Sequence, residues 1–178
     1  MSLNSTIPNK IVANSDQNYY EDNYISTNCG SYAFNIKDWY DADRAFENEN
    51  GYAYLWMEQL FDKGLSDLEV SNLYIAELLD GIVADFKGEV QLLDSIPILK
   101  ANEELIAFRA FCRWDEIMDE VDFDWHFKVY RDGHWREKNG SGPVSECRLQ
   151  DWEYDDEMNY ISKVYFFKKI YPENLKKS

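Results

Sequence analysis

Histidine is scarce in this chain: His126 and His134 are the only two in 178 residues. Cysteine is scarce as well, with Cys29, Cys112 and Cys147 and no Cys-x-x-Cys pair among them. No spacing of these residues matches a metal-ligand pattern, so a zinc or other metal site is not expected. An odd number of thiols fits a reducing compartment in which all stay free, and a Cys112–Cys147 disulfide would require an oxidising one. No apolar run approaches the ~20 residues that a membrane helix needs. The N-terminus lacks a basic start followed by an apolar segment, so no signal peptide is read and the expected location is cytoplasmic. There is no internal repeat, and no stretch rich in Pro, Gly or Ser marks a domain boundary.

Basic residues are few, 18 Lys+Arg against 34 Asp+Glu, for a formal charge of −16. That field repels phosphate backbones and anionic lipid surfaces, which excludes ordinary nucleic-acid and membrane partners. A basic protein partner remains compatible with it, and so does a merely solubilising surface.

What is abundant is aromatic: six Trp, 13 Tyr and 10 Phe. Such residues bury a large area each, so a chain of this length can form the core of one domain. Residues 1–23 are polar and read as a flexible arm, 24–172 as a single α+β domain, and 173–178 as a tail. A short helix is expected to begin near Asn28, capped by Thr27 or Asn28. Tyr54, Leu55, Leu60 and Phe61 have helical spacing, with Gly64 as a stop. Ser66 to Glu69 forms a capping box before a long helix that runs to Phe86, with Gly88 ending it.

Beyond Gly88 the pattern changes. Val90–Leu93, Glu104–Cys112, Trp125–Arg131, His134–Lys138 and Lys163–Ile170 read as strands, and Asp115–Asp124 as a loop or helical turn. Asp132-Gly133 lies between two strand-like runs and predicts a type I′ hairpin, because that turn needs positive φ at both central residues. Helices followed by strands predict α+β, with N-terminal helices packed on a C-terminal antiparallel sheet.

A two-residue turn fixes a register. Arg131 then faces His134, Lys128 faces Glu137 and His126 faces Asn139. Alternation puts His126, Lys128, Glu137 and Asn139 on one face, with Glu137 diagonal to His126. Cys29 falls at the first turn of the first helix, where free N–H groups and the macrodipole favour an anion such as a thiolate. Thiolate, imidazole and an orienting polar group are the parts of a nucleophilic acyl-transfer site.

Asn28-Cys29-Gly30-Ser31-Tyr32-Ala33, His126-Phe127 and Asp132-Gly133-His134-Trp135-Arg136-Glu137-Lys138-Asn139-Gly140 resemble blocks shared by a group of uncharacterised bacterial and phage-type proteins. The layout is also similar to the papain-like cysteine hydrolase superfamily, especially its NlpC-type amidohydrolases. That resemblance implies a papain-like fold, with Cys29 as nucleophile, His126 as general base and then acid, and Glu137 or Asn139 orienting the ring. It implies hydrolysis or transfer at an amide or thioester of an unknown small-molecule, peptide or protein substrate, with no cofactor. The Asp-Cys-Ser-Gly and His-Val-Gly blocks of NlpC-type enzymes are absent, which argues against a cell-wall substrate.

Two other functions fit the same residues. One is an acidic interaction module, of immunity or inhibitor type, that binds a basic partner. The other is an inactive relative of the hydrolase fold, since fold alone does not imply chemistry. Free cysteines are most often small core residues, the reading adopted for Cys112, while Cys147 reads as a loop or sheet residue with no role.

Overall fold

The computed structural model describes residues 27–36, 38–44, 51–140, 142–152 and 163–172. The expected arm 1–23 and tail 173–178 lie outside the described residues. Helices α1 (Cys29–Phe34), α2 (Ala53–Asp62) and α3 (Asp67–Asp85) precede strands β1 (Val90–Leu93), β2 (Glu103–Asp115), β3 (Glu120–Arg131), β4 (His134–Lys138), β5 (Val144–Cys147) and β6 (Tyr165–Ile170). All neighbouring strands run antiparallel, in the order β1-β6-β2-β3-β4-β5. The α+β class and its helices-then-strands order are those the sequence indicated.

Local chemistry explains most element boundaries. Asn28 caps α1 by accepting the Ser31 N–H, while Ser31 Oγ accepts the Asn28 N–H in return. Ser66 and Glu69 form the same reciprocal box at the start of α3. Gly64 and Gly88, just beyond α2 and α3, have φ of 84°, a conformation open to glycine at little cost.

The buried face of α2 differs in part from the expected one. Ala53 and Met57 are the buried positions of α2, while Tyr54 and Leu55 are exposed. In α3, Val70, Tyr74, Ile75, Leu78, Leu79 and Ile82 are buried, and Leu68 and Leu73 face outward. Helical spacing identifies the helix but not which side tertiary packing covers.

Asp115–Asp124, expected to be a loop or helical turn, is mostly hairpin. β2 and β3 stay paired from Leu105↔Tyr130 to Asp115↔Glu120, which leaves only 116–119 as the turn. Asp115 Oδ1 accepts the N–H groups of Ile117 and Met118 and closes it. Val121, Phe123 and Trp125 alternate toward the helices, and the intervening acids face away. That period-2 pattern is what makes the segment a strand despite its charge.

The Asp132-Gly133 turn has φ of 48° and 84°, and the β3–β4 register is Lys128↔Glu137, Tyr130↔Trp135 and Arg131↔His134, as expected. β5 was not anticipated. Nor was the insertion of β6 between β1 and β2, a pairing of distant segments.

The helices cover one face of the sheet. Their core joins Tyr32, Phe34, Tyr74 and Leu78 to Ile106, Phe108, Phe127 and Phe167. A smaller cluster of Leu105, Phe111, Tyr130, Trp135 and Trp152 lies on the other face. Cys112 and Cys147 are separated by β3 and β4, roughly 14 Å at about 4.8 Å per strand, too far for a disulfide. All three cysteines are free. No described helix is long and apolar enough to cross a membrane.

Candidate active site

Cys29 is the first residue of α1 and is 5% exposed. Its seat is set by a dense polar cap. Asn28 Nδ2 donates to the Tyr40 carbonyl at 2.6 Å, and the Tyr40 N–H donates to Ser31 Oγ at 2.9 Å. The segment around Tyr40 is thereby tied across the helix start. Gly30 is required there: a Cβ would come within 2.5 Å of Tyr40 Cδ1 and 3.4 Å of Trp125 Cζ3. As the first residue of a helix, Cys29 has a backbone N–H without a partner in the helical ladder.

His126 lies on β3, 7% exposed, with its ring against the edge of Trp152. Its Nε2 is 3.1 Å from Glu137 Oε2 on β4. Glu137 Oε2 also lies 3.4 Å from the Lys128 ammonium, which is fully buried, donates to the Arg148 carbonyl and sits over the Trp152 ring. The β3–β4 pairing ends at Lys128↔Glu137, so no β4 residue stands opposite His126. Cys29, at the start of α1, lies close enough to the ring to act on it electrostatically.

The electrostatics follow from this arrangement. Burial alone would pull the imidazolium down, but the charge and hydrogen bond of Cys29, with those of Glu137, outweigh it and raise the His126 pKa to about 10. Burial pushes the Glu137 carboxyl up, yet His126 and Lys128 hold it below its ordinary value. The favoured form of His126 at neutral pH is therefore the imidazolium, held by the Glu137 carboxylate with Lys128 behind it. Nearby, Lys138 is buried and donates to the Gly140 and Gly142 carbonyls, each at 2.8 Å. Burial lowers its pKa to about 8, against the opposing pull of Cys29.

Of the four site residues expected from the sequence, Cys29, His126 and Glu137 come together. Asn139 does not join them: it lies beyond the end of β4, is exposed, and uses its carbonyl to accept the Gly142 N–H. His134 is exposed, 4.0 Å from Glu146. Cys112 is fully buried, and burial pushes its thiol well up. The Cys147 thiol is likewise pushed up to about 12, chiefly by burial.

Trp152 and Lys138 were not singled out by sequence reasoning. Trp152 sits in an acidic run that reads as solvated loop, yet it is buried under His126, Lys128 and Arg109. A lone tryptophan among acids was the available signal. Among the described residues, no cluster of three or more His, Cys, Asp or Glu could hold a metal ion.

A thiol, an imidazole and a carboxylate linked in series can form a nucleophile, move a proton and keep the proton carrier oriented. Comparison with family models, with curated proteins and with solved structures returns no match for this chain.

Proposed function

We propose that this protein is a thiol hydrolase of papain-like layout, acting on an amide or thioester with Cys29, His126 and Glu137. The observation that carries the reading is one ring shared between two groups: Glu137 Oε2 lies 3.1 Å from His126 Nε2, and Cys29 stands beside the same ring at the start of α1. A helix-borne Cys early in the chain, a strand-borne His later and an acid on the next strand support the papain-like comparison.

The chemistry runs in two halves. Cys29 Sγ, as thiolate, attacks the acyl carbon, and the carbonyl oxygen takes the electron pair. The Cys29 N–H is a donor for that oxyanion. The tetrahedral species collapses, the bond to the leaving amine or thiol breaks, and His126 gives up its proton to that group. A thioester of Cys29 remains. His126 then removes a proton from water, the hydroxide oxygen bonds to the acyl carbon, and the C–S bond breaks to release the carboxylic acid. Glu137 holds the ring and favours its protonated form throughout.

The test is the rate of Cys29 alkylation by iodoacetamide across pH 4–9, in wild type and in His126→Ala. Rapid labelling well below the ~8.5 of a free thiol, slowed by loss of His126, supports an activated pair. Labelling only above that value in both proteins would reject it.

A second reading draws on the β2–β3 tip. Ile117 is 92% exposed and Met118 64%, flanked by Asp115, Glu116, Asp119 and Glu120. Apolar anchors in an acidic rim suit a basic protein partner, the binding mode of an acidic interaction module. That reading requires binding that weakens with salt and is indifferent to Cys29→Ala.

A further inference from the structure

Helix α1 has six residues, too few to hold itself together in water. Its N-terminal end is fixed by the Asn28–Ser31–Tyr40 cap. Its C-terminal end is held by two buried cations from the sheet. Arg131 Nη2 donates to the Tyr32 carbonyl at 3.3 Å, and its guanidinium lies over the Tyr32 ring. Lys169 Nζ donates to the Phe34 carbonyl. Both carbonyls belong to the last turn, where positive charge complements the helix dipole.

These cations are themselves held. Glu104 takes Arg131 through Nε at 3.0 Å and Nη2 at 3.2 Å, and Tyr171 donates to Glu104 Oε2 at 2.6 Å. Lys169 lies over the Tyr171 ring. Arg131 is on β3, the strand that carries His126, so one strand meets the thiol at one end of α1 and grips the carbonyls at the other.

We propose that Arg131 and Lys169 are positioning residues that grip the C-terminal carbonyls of α1 and so set the seat of the Cys29 thiol against His126; this rests on the thiol-hydrolase reading. The reason to assign them a positional role is energetic. Buried ion pairs can often be replaced by apolar residues of similar volume without loss of stability. A network of Arg131, Glu104, Lys169 and Tyr171 under one short helix is therefore not explained by stability alone. Cys29 begins that helix, so a slide or tilt of α1 moves sulfur directly relative to the ring. Weaker grip leaves the fold in place and degrades the Cys29–His126 contact.

The test uses the full chain in four forms: wild type, Lys169→Met, Lys169→Arg, and the triple variant Glu104→Met/Arg131→Met/Tyr171→Phe, which removes the partners together. Circular dichroism and thermal melts establish folding, and Cys29 alkylation is followed from pH 5 to pH 10. The expected result is a roughly ten-fold loss of labelling rate near pH 6 in Lys169→Met and in the triple variant, with rates near pH 10 unchanged, because thiolate character and not access has been altered. Lys169→Arg, which keeps a cation for the Phe34 carbonyl, restores the low-pH rate. Folded variants with the wild-type profile overturn the positioning role while the hydrolase reading stands. A wild type without low-pH labelling overturns both. Failure of both methionine variants to fold overturns the positioning role too, since the network would then be a condition of folding.

Discussion

His126 Nε2 and Glu137 Oε2 meet at 3.1 Å across the β3–β4 hairpin, and the same carboxylate oxygen lies 3.4 Å from the buried Lys128 ammonium. One acid thus serves two cations, and Cys29 stands beside the ring that it holds. Each of the following expectations tests a part of that arrangement or of the scaffold beneath it.

Glu137→Gln keeps the shape and removes the charge. Labelling of Cys29 near neutral pH should fall by roughly ten-fold, as expected when an imidazolium loses an anionic partner worth about 1.4 kcal/mol. Asn139→Ala should leave the rate unchanged, because Asn139 is exposed beyond β4. Iodoacetamide kinetics on both variants check this, and equal effects would contradict Glu137 as the third member.

His126 should remain protonated through neutrality and lose its proton only near pH 10. The sign follows from the competition: burial disfavours the imidazolium, while Cys29 and Glu137 favour it more. Cys29→Ser removes the leading favourable charge, so burial then weighs more and the titration should move down. Two-dimensional NMR of the imidazole nitrogens measures it.

Native protein should take up one equivalent of iodoacetamide near pH 7, at Cys29. Cys112 is sealed in the core, and burial pushes its thiol up. Cys147, raised to about 12, is almost wholly protonated there. Mass spectrometry of tryptic peptides reads the stoichiometry, and label at Cys147 first would contradict the assignment.

Gly30→Ala should destabilise the fold by about 1–3 kcal/mol, the usual cost of overpacking. The added Cβ would meet Tyr40 Cδ1 at 2.5 Å. Tyr40 is poorly placed to yield, since its ring packs on Phe34 and Trp125 and its hydroxyl donates to Asp85. Urea unfolding measures the loss.

Glu104→Ala should cost about 3–5 kcal/mol, because it leaves the fully buried Arg131 guanidinium without its carboxylate. The triple replacement by Met, Met and Phe should cost much less, as no buried charge is then stranded. Chemical denaturation of the two proteins side by side gives the difference.

Much of this architecture is legible in local sequence. Asn28 and Ser66 announce helix starts because their side chains satisfy free backbone N–H groups. Asp132-Gly133 announces the hairpin because few other pairs accept two consecutive positive φ angles. With that turn fixed, the register brings Glu137 beside Lys128 and toward His126, and the structure has the same pairs. Other features were hidden. The strand character of Glu120–Asp124 was masked by its acids. Pairing of β4 ends at Lys128↔Glu137, two residues before His126, and no local signal says where a strand ends, which is why Asn139 looked equivalent to Glu137.

The sequence by itself determined the class of fold, the helix starts, the hairpin and the face shared by His126 and Glu137, since caps, turns and period-2 alternation act over a few residues. Only the tertiary structure decided that β6 enters between β1 and β2, that Trp152 closes over His126, and that Arg131, Glu104 and Lys169 lie buried beneath α1. Those outcomes depend on contacts between segments distant in the chain. Whether a charged side chain is solvated or buried is settled by which segments pack against it, not by its immediate neighbours in sequence.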